Sequence, residues 1–147
     1  GYGVGSNLFK ITSAGGKFSA EQVYANKVIA NHHGGVVKVG DNIVGFSDTP
    51  GWVWQNMKTG EITFNDGKDK LGKGSITVAD GMLYLRFEDK PGTIVLLDGS
   101  SAAWNEKGRF DQPDRSKTKA WPHPVIANGR LYIRDQDVLL AYNVKKS

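Results

Sequence analysis

The sequence predicts an all-β fold, and three observations favour it. The 147 residues include 19 glycines, apolar residues do not recur at helical spacing, and short apolar runs are separated by turn-forming pairs. Hydrophobic residues make up 39% of the chain, which provides enough apolar surface for a folded core. The sequence therefore predicts a single domain over residues 1–147, built from many short antiparallel strands.

A hairpin pattern recurs along the chain. Residues 75–86 contain an apolar run, then Ala-Asp-Gly and Leu-Tyr-Leu-Arg, and residues 123–134 repeat this pattern 48 positions later. A weaker copy over 35–46 lies 40 positions before the first, with Asp41-Asn42 interpreted as its turn pair. Because Asp-Gly and Asn-Gly adopt the positive φ angles of a type I′ turn, each copy predicts two paired strands.

Further strands follow each hairpin. Third strands are predicted at 52–57, 93–97 and 138–142, and fourth strands at 62–64 and 102–104. Residues 7–11 and 21–24 look like the last two strands of a unit whose opening is missing. The repeat spacing therefore predicts four units, with approximate bounds: a partial one over 1–30, complete ones over 31–72 and 73–119, and one over 120–147 that lacks its outer strand.

These repeats resemble those of the pyrroloquinoline-quinone-like (PQQ-like, or quinoprotein-like) β-propeller family. The resemblance is carried by residues 57–64, 76–86 and 124–144. It implies four-stranded antiparallel blades around a central channel, so that this chain would be a propeller fragment of about four blades. In that family a tryptophan after the third strand docks between neighbouring blades. This chain departs from the pattern in its first complete unit, where Phe64 stands in place of the tryptophan, while Trp104 matches it better, and both are expected to fill this role. The resemblance also implies a periplasmic or extracellular location.

An incomplete propeller predicts a partner. Half a ring would leave two apolar blade faces uncovered and one outer strand missing, and both features favour pairing with another copy. We therefore expect a homo-oligomer, with a dimer as its simplest form, that completes the propeller. The alternative is an excised or engineered fragment, because residues 1–5 look like the middle of a β element.

Charge and composition argue against several other classes. The net charge is +4, and basic residues such as Lys117 and Lys119 lie near acids such as Asp114, so no nucleic-acid partner is expected. No apolar run approaches the roughly 18 residues of a membrane span. The sequence contains no cysteine, which excludes disulfides and thiolate metal sites.

His32, His33 and His123 are the candidate metal-binding or acid–base residues. Imidazoles bind transition metals and titrate near neutral pH, and all three histidines precede the first strand of a predicted unit. Neighbouring residues of an extended segment point to opposite faces, so only one of His32 and His33 is expected to join His123. Histidines with a purely structural role are the alternative.

No cofactor is expected, with PQQ, calcium or a transition metal as alternatives. Quinone enzymes need acidic ligands for calcium. The acids that follow strands are interpreted here as solvated turn residues: Glu88, Asp89, Asp135 and Asp137. No nucleophile motif is found. The predicted function is a non-enzymatic scaffold that self-assembles or binds proteins or ligands. The alternative is a quinoprotein-like enzyme subunit or a metal-binding propeller with histidines at the channel mouth.

Two pairs of residues occupy equivalent places in the two strongest copies. Tyr84 corresponds to Tyr132, and Arg86 corresponds to Arg134. The arginines are expected first to have a structural role, such as pairing with Glu88 or Asp135. An anion-binding ring formed by equivalent arginines is the alternative.

Overall fold

The all-β prediction is confirmed. The computed structural model describes residues 1–66, 72–89 and 91–145, which form thirteen strands in four antiparallel sheets, with no helix among them. The described part of the chain accordingly has no helix of the length and apolarity that crossing a membrane requires.

Each sheet is formed by strands that are consecutive in sequence. Sheet A contains β1 (Ser6–Ala14) and β2 (Lys17–Asn26). Sheet B contains β3 (Val36–Val39), β4 (Asn42–Ser47), β5 (Gly51–Asn56) and β6 (Ile62–Asn65). Sheet C contains β7 (Gly74–Ala79), β8 (Met82–Phe87), β9 (Thr93–Asp98) and β10 (Glu106–Asp111). Sheet D contains β11 (Val125–Ala127), β12 (Arg130–Asp135) and β13 (Val138–Asn143).

Two-residue turns join the first two strands of sheets B, C and D. In sheets C and D the turn pairs are Asp80-Gly81 and Asn128-Gly129, and all four residues have positive φ, as a type I′ turn requires. In sheet B the strand pairing places the turn at Gly40-Asp41. The interpretation of Asp41-Asn42 as the turn pair was therefore wrong by one residue, because Gly40 supplies the positive φ.

The fourth strand of sheet C is not at 102–104, where the sequence predicted it, but at β10. Asp98 accepts hydrogen bonds from the backbone N–H and hydroxyl of Ser100, at 2.9 and 2.6 Å, which forms a turn directly after β9. Trp104 is half-buried and packs against the core between sheets B and C. The apolar run before Trp104 therefore belongs to the connection, while β10 itself is largely polar and exposed.

Sheets B, C and D stack face to face, and the core lies in the two interfaces between them. The B–C core is formed by residues from both sheets: Val44, Trp52, Trp54, Ile76, Leu83, Leu85, Phe87, Val95 and Leu97. The smaller C–D core contains Ile94, Leu131 and Ile133. Leu83 and Leu131 lie at corresponding positions of β8 and β12, and both are buried. Each large apolar side chain buried in this way stabilises the fold by about 1.5–3 kcal/mol.

Sheet A is a long hairpin that contacts sheet B through one end. Asn26 Nδ2 donates to the carbonyl of Gly60 at 3.0 Å, and the Tyr24 hydroxyl donates to the carbonyl of Met57 at 3.1 Å. A bulge separates Leu8 from Phe9, and the hairpin beyond it is exposed. The strands predicted at 7–11 and 21–24 are present but extend further.

Candidate functional site

The segments that lead into the first strands of sheets B, C and D meet at one end of the stack. The Ile76 N–H donates to the carbonyl of Gly34 at 3.2 Å, and the Ser75 hydroxyl donates to the carbonyl of Pro122 at 3.3 Å. All three candidate histidines lie here. We call this group the inner-end cluster: Tyr2, His32, His33, Lys73, Glu88, Lys119, Trp121 and His123.

His123 connects the three sheets. Its Nδ1 lies 3.3 Å from the carbonyl oxygen of Ile76, and its Nε2 lies 3.1 Å from that of His33. A neutral imidazole has one N–H, so it can donate only one of these two hydrogen bonds. The ring also packs on Gly35, where a Cβ atom would lie 2.6 Å from His123 Cε1. These contacts give His123 a structural role between the lead-in segments.

His32 and His33 lie side by side, so the expectation that they point to opposite faces was wrong. Their segment forms a bend rather than a strand, and their ring centroids are 4.6 Å apart. Two further rings flank this pair. The ring centroid of Tyr2 lies 3.9 Å from that of His32, and the ring centroid of Trp121 lies 5.2 Å from that of His33. Four rings therefore form one continuous array at the inner end.

Glu88 is the buried carboxyl group of the cluster. Its side chain is 6% exposed, with Oε2 lying 2.6 Å from His33 Nε2 and Oε1 lying 3.0 Å from Lys119 Nζ. The interpretation of Glu88 as a solvated turn residue was therefore wrong. Hydrogen bonds to Glu88 and Asp89 raise the pKa of Lys119. Partial desolvation, and then the charge of Lys73, lower the pKa of His32.

The inner-end cluster combines aromatic faces with charged groups. Trp121 is 55% exposed and borders an open groove with Thr118, Lys119, Pro122 and Gln136. Within residues 1–66, 72–89 and 91–145, no three His, Asp or Glu side chains are grouped as metal ligands. The metal site at His32, His33 and His123 stays a prediction.

A second polar cluster, which sequence reasoning largely missed, lies between sheets C and D. Asp135 is fully buried, and its Oδ2 accepts hydrogen bonds from Arg115 Nη1 at 2.6 Å and Gln112 Nε2 at 2.8 Å. The Ser116 N–H adds a third at 2.9 Å. Burial acts to raise the pKa of Asp135, but these hydrogen bonds hold it well below its usual range. Asp135 is therefore a structural anion, not a solvated turn acid.

Arg86 completes this second cluster. It is buried, donates from Nη2 to Gln112 Oε1 at 2.5 Å, and lies 4.0 Å from Oδ2 of its expected partner Asp135. Arg134, at the equivalent position, is exposed and donates from Nε to the carbonyl of Gln136 at 2.9 Å. No sequence pattern points to Gln112, because the residue follows β10 and is brought to Arg86 only by tertiary packing.

The aromatic repeat positions lie in different surroundings. Phe64 and Trp104 both pack around Trp54, with ring centroids 5.2 and 6.4 Å from it, so both lie between sheets B and C. Tyr84 packs between sheets C and D, while Tyr132 is half-buried on β12.

The two terminal sheets each have an open edge and exposed apolar side chains. Among the described residues, β1 pairs only with β2, and β13 pairs only with β12. Phe9, Ile11 and Phe18 are exposed on sheet A, and Val125 and Leu139 are exposed on sheet D. Exposed apolar groups beside an unpaired strand edge are typical of surfaces that bind another protein segment.

No protein-family model matches the chain, and no curated protein is significantly similar to it. The resemblance to PQQ-like repeats therefore depends on the repeat pattern alone.

Proposed function

We propose that this chain is a non-enzymatic binding scaffold built from propeller-type repeats, and that its terminal sheets A and D associate with those of further copies. The observation that carries the proposal is that both terminal sheets have an unpaired edge next to exposed apolar side chains. Pairing such edges satisfies backbone N–H and C=O groups and buries apolar surface in one step.

The stacking of the sheets supports the propeller part of the proposal. The first strands of sheets B, C and D are neighbours, since β7 contacts both β3 and β11. Neighbouring sheets share one apolar interface each, as the blades of a propeller do. By resemblance, the proposed location is periplasmic or extracellular.

Multi-angle light scattering over a dilution series tests the association. We expect a mass of two or more chains that falls towards that of one chain on dilution. A constant mass of one chain, 16.0 kDa, at all concentrations would refute the proposal.

A matched pair of variants tests the surface. Leu139 is 65% exposed on β13, so Leu139→Lys places a charge beside the open edge and should reduce association. Ile62→Lys adds the same charge at an exposed position of β6, the outer edge strand of sheet B, which the proposed association does not use. Ile62→Lys should therefore leave association unchanged. Equal effects of the two variants would argue against association through sheet D.

The alternative function is ligand or metal binding at the inner-end cluster. It is favoured by the His33–Glu88 contact and by the exposed Trp121 beside it. Calorimetric titration of the full chain with zinc, calcium and the quinone distinguishes the two functions. Saturable heat that is lost in His33→Ala would support the alternative, and no heat with any of the three would exclude it for these ligands.

A further inference from the structure

An open apolar pocket lies between sheets C and D, near the outer strand of sheet C. It has a volume of about 200 Å³. Its walls come from both sheets: Tyr84, Ile94, Leu96, Gly108, Phe110 and Leu131. An apolar cavity of roughly 150 Å³ is large enough to bind a benzene ring. The pocket is therefore large enough for one aromatic side chain.

The corresponding place between sheets B and C is filled by aromatic rings. In sheet B, Val44 pairs with Trp54, and Trp54 pairs with Phe64. Trp54 is fully buried, with Phe64 on one side and Trp104 nearby. Trp104 reaches this interface from the connection that precedes the fourth strand of sheet C.

Two of the three corresponding positions in sheet C carry smaller residues, while the third carries tyrosine in place of Val44. Tyr84, 40 residues after Val44, pairs with Leu96, and Leu96 pairs with Gly108. Leu96 and Gly108 therefore stand where sheet B has tryptophan and phenylalanine. In addition, no fourth strand follows β13 within the described residues, so sheet D supplies no counterpart of Trp104. The pocket is the space that these three rings fill in the neighbouring interface.

We infer that this pocket is the acceptor for a phenylalanine ring from the β1–β2 hairpin of a second copy, an inference that rests on the proposed self-association. On that hairpin Phe9 pairs with Gln22, Ile11 with Ala20, and Ser13 with Phe18. Since side chains alternate along a strand, Phe9, Ile11 and Phe18 share one face.

The hairpin has the features that the pocket requires. Its apolar face is exposed, with Phe18 78% exposed, and β1 has a free edge. Pairing of β1 with the free edge of β13 would place this face against the outer strand of sheet C. It would thereby continue the existing C–D interface outward, as Trp104, in the connection before the fourth strand of sheet C, extends the B–C interface.

Gly108→Phe tests the inference by filling the pocket from within, at the position that matches Phe64. A Cβ atom at Gly108 would meet no atom within 4 Å, and Gly108 is not in the left-handed region, so the variant should fold. We expect the dissociation constant of the self-association to rise at least tenfold. At a concentration where the wild type is also dissociated, the thermal unfolding temperature should stay equal or rise, because a cavity is filled. Leu96→Trp is a second filling variant, for the case that Gly108→Phe does not fold.

The hairpin side of the contact is tested with Phe9→Ala and Phe18→Ala combined, which should weaken association as strongly as Gly108→Phe. Thr12→Ala, on the opposite face of β1, is the control and should associate like the wild type. If the wild type associates but Gly108→Phe and Leu96→Trp associate equally well, the inference is wrong while the proposed function stands. If the wild type itself stays monomeric, the proposed function fails, and the inference fails with it.

Discussion

Arg86 and Arg134 lie 48 residues apart at equivalent positions of β8 and β12, but only Arg86 is buried. Sheet D covers the face of sheet C on which Arg86 lies, where Gln112 and Asp135 bind its guanidinium. Among the described residues, no further sheet covers the corresponding face of sheet D. Whether a neighbouring sheet covers the arginine, and not its position in the repeat, therefore determines whether it has a structural role.

The difference in burial predicts that alanine substitutions at Arg86 and Arg134 lower the free energy of unfolding by unequal amounts. Arg86→Ala should lower the free energy of unfolding by about 3 kcal/mol, because it leaves buried polar partners unsatisfied and opens a cavity. Arg134→Ala removes an exposed side chain and should change it by less than about 0.5 kcal/mol. Urea denaturation of both variants measures the difference. Similar costs for the two would contradict the assigned burial of Arg86.

Acid should destabilise the fold through Asp135. The folded-state pKa of Asp135 is held below its unfolded value, so its contribution is fully present above about pH 4 and declines as the pH falls below that. The decline for one such group is up to about 1.4 kcal/mol per pH unit. Asp135→Asn should therefore show a shallower loss of stability between pH 4 and pH 2 than the wild type.

Denaturant unfolding at several pH values measures this slope. Asp114→Asn is the control, since Asp114 is exposed and asparagine accepts its positive φ of 52°. The control should have the slope of the wild type. An unchanged slope in Asp135→Asn would show that other carboxylates cause the acid sensitivity.

Strands and turns were predictable because their signals are local. Alternating apolar residues and the Asp-Gly and Asn-Gly pairs fix the hairpins through short-range geometry. The burial of Glu88 and Asp135 was not predictable, because it depends on partners such as His33 and Arg115 that come from other sheets and loops. The position of β10 was missed for a related reason: the packing of Trp104 against sheet B draws the apolar run out of the strand.

Gly35 should be less tolerant of a side chain than Gly40, although both have positive φ, of 69° and 55°. Alanine at either position strains the backbone by about 1 kcal/mol. At Gly35 the new Cβ would also displace the His123 ring, whereas at Gly40 it would meet no atom within 4 Å. Gly35→Ala should therefore lower the free energy of unfolding by roughly 1–3 kcal/mol more than Gly40→Ala does.

Thermal and urea unfolding of the two variants measure that difference. Combining Gly35→Ala with His123→Ala should recover part of the additional cost, because the displaced ring is then absent. If the free energy of unfolding of the double variant falls by the sum of the two single decreases, His123 does not pack on Gly35 as described.

Leu83 and Leu131 are a final matched pair, since both are buried at corresponding positions of their sheets. Leu83 lies in the closed core between sheets B and C, so Leu83→Ala leaves an enclosed cavity and should cost about 4 kcal/mol. Leu131 lines the open pocket beside Gly108, so the space left by Leu131→Ala joins a pocket that water already reaches. In the dissociated chain, Leu131→Ala should lower the free energy of unfolding by only about 2 kcal/mol, near the lower end for such substitutions. Urea denaturation of the two variants, each compared with the wild type at one protein concentration, gives both values.

A cost for Leu131→Ala as large as that for Leu83→Ala would mean that the C–D interface is closed in solution, as it would be with the pocket occupied by a second copy. Gly108→Phe provides a reference for a filled pocket, because in this variant the cost of Leu131→Ala should rise towards that of Leu83→Ala without a second copy.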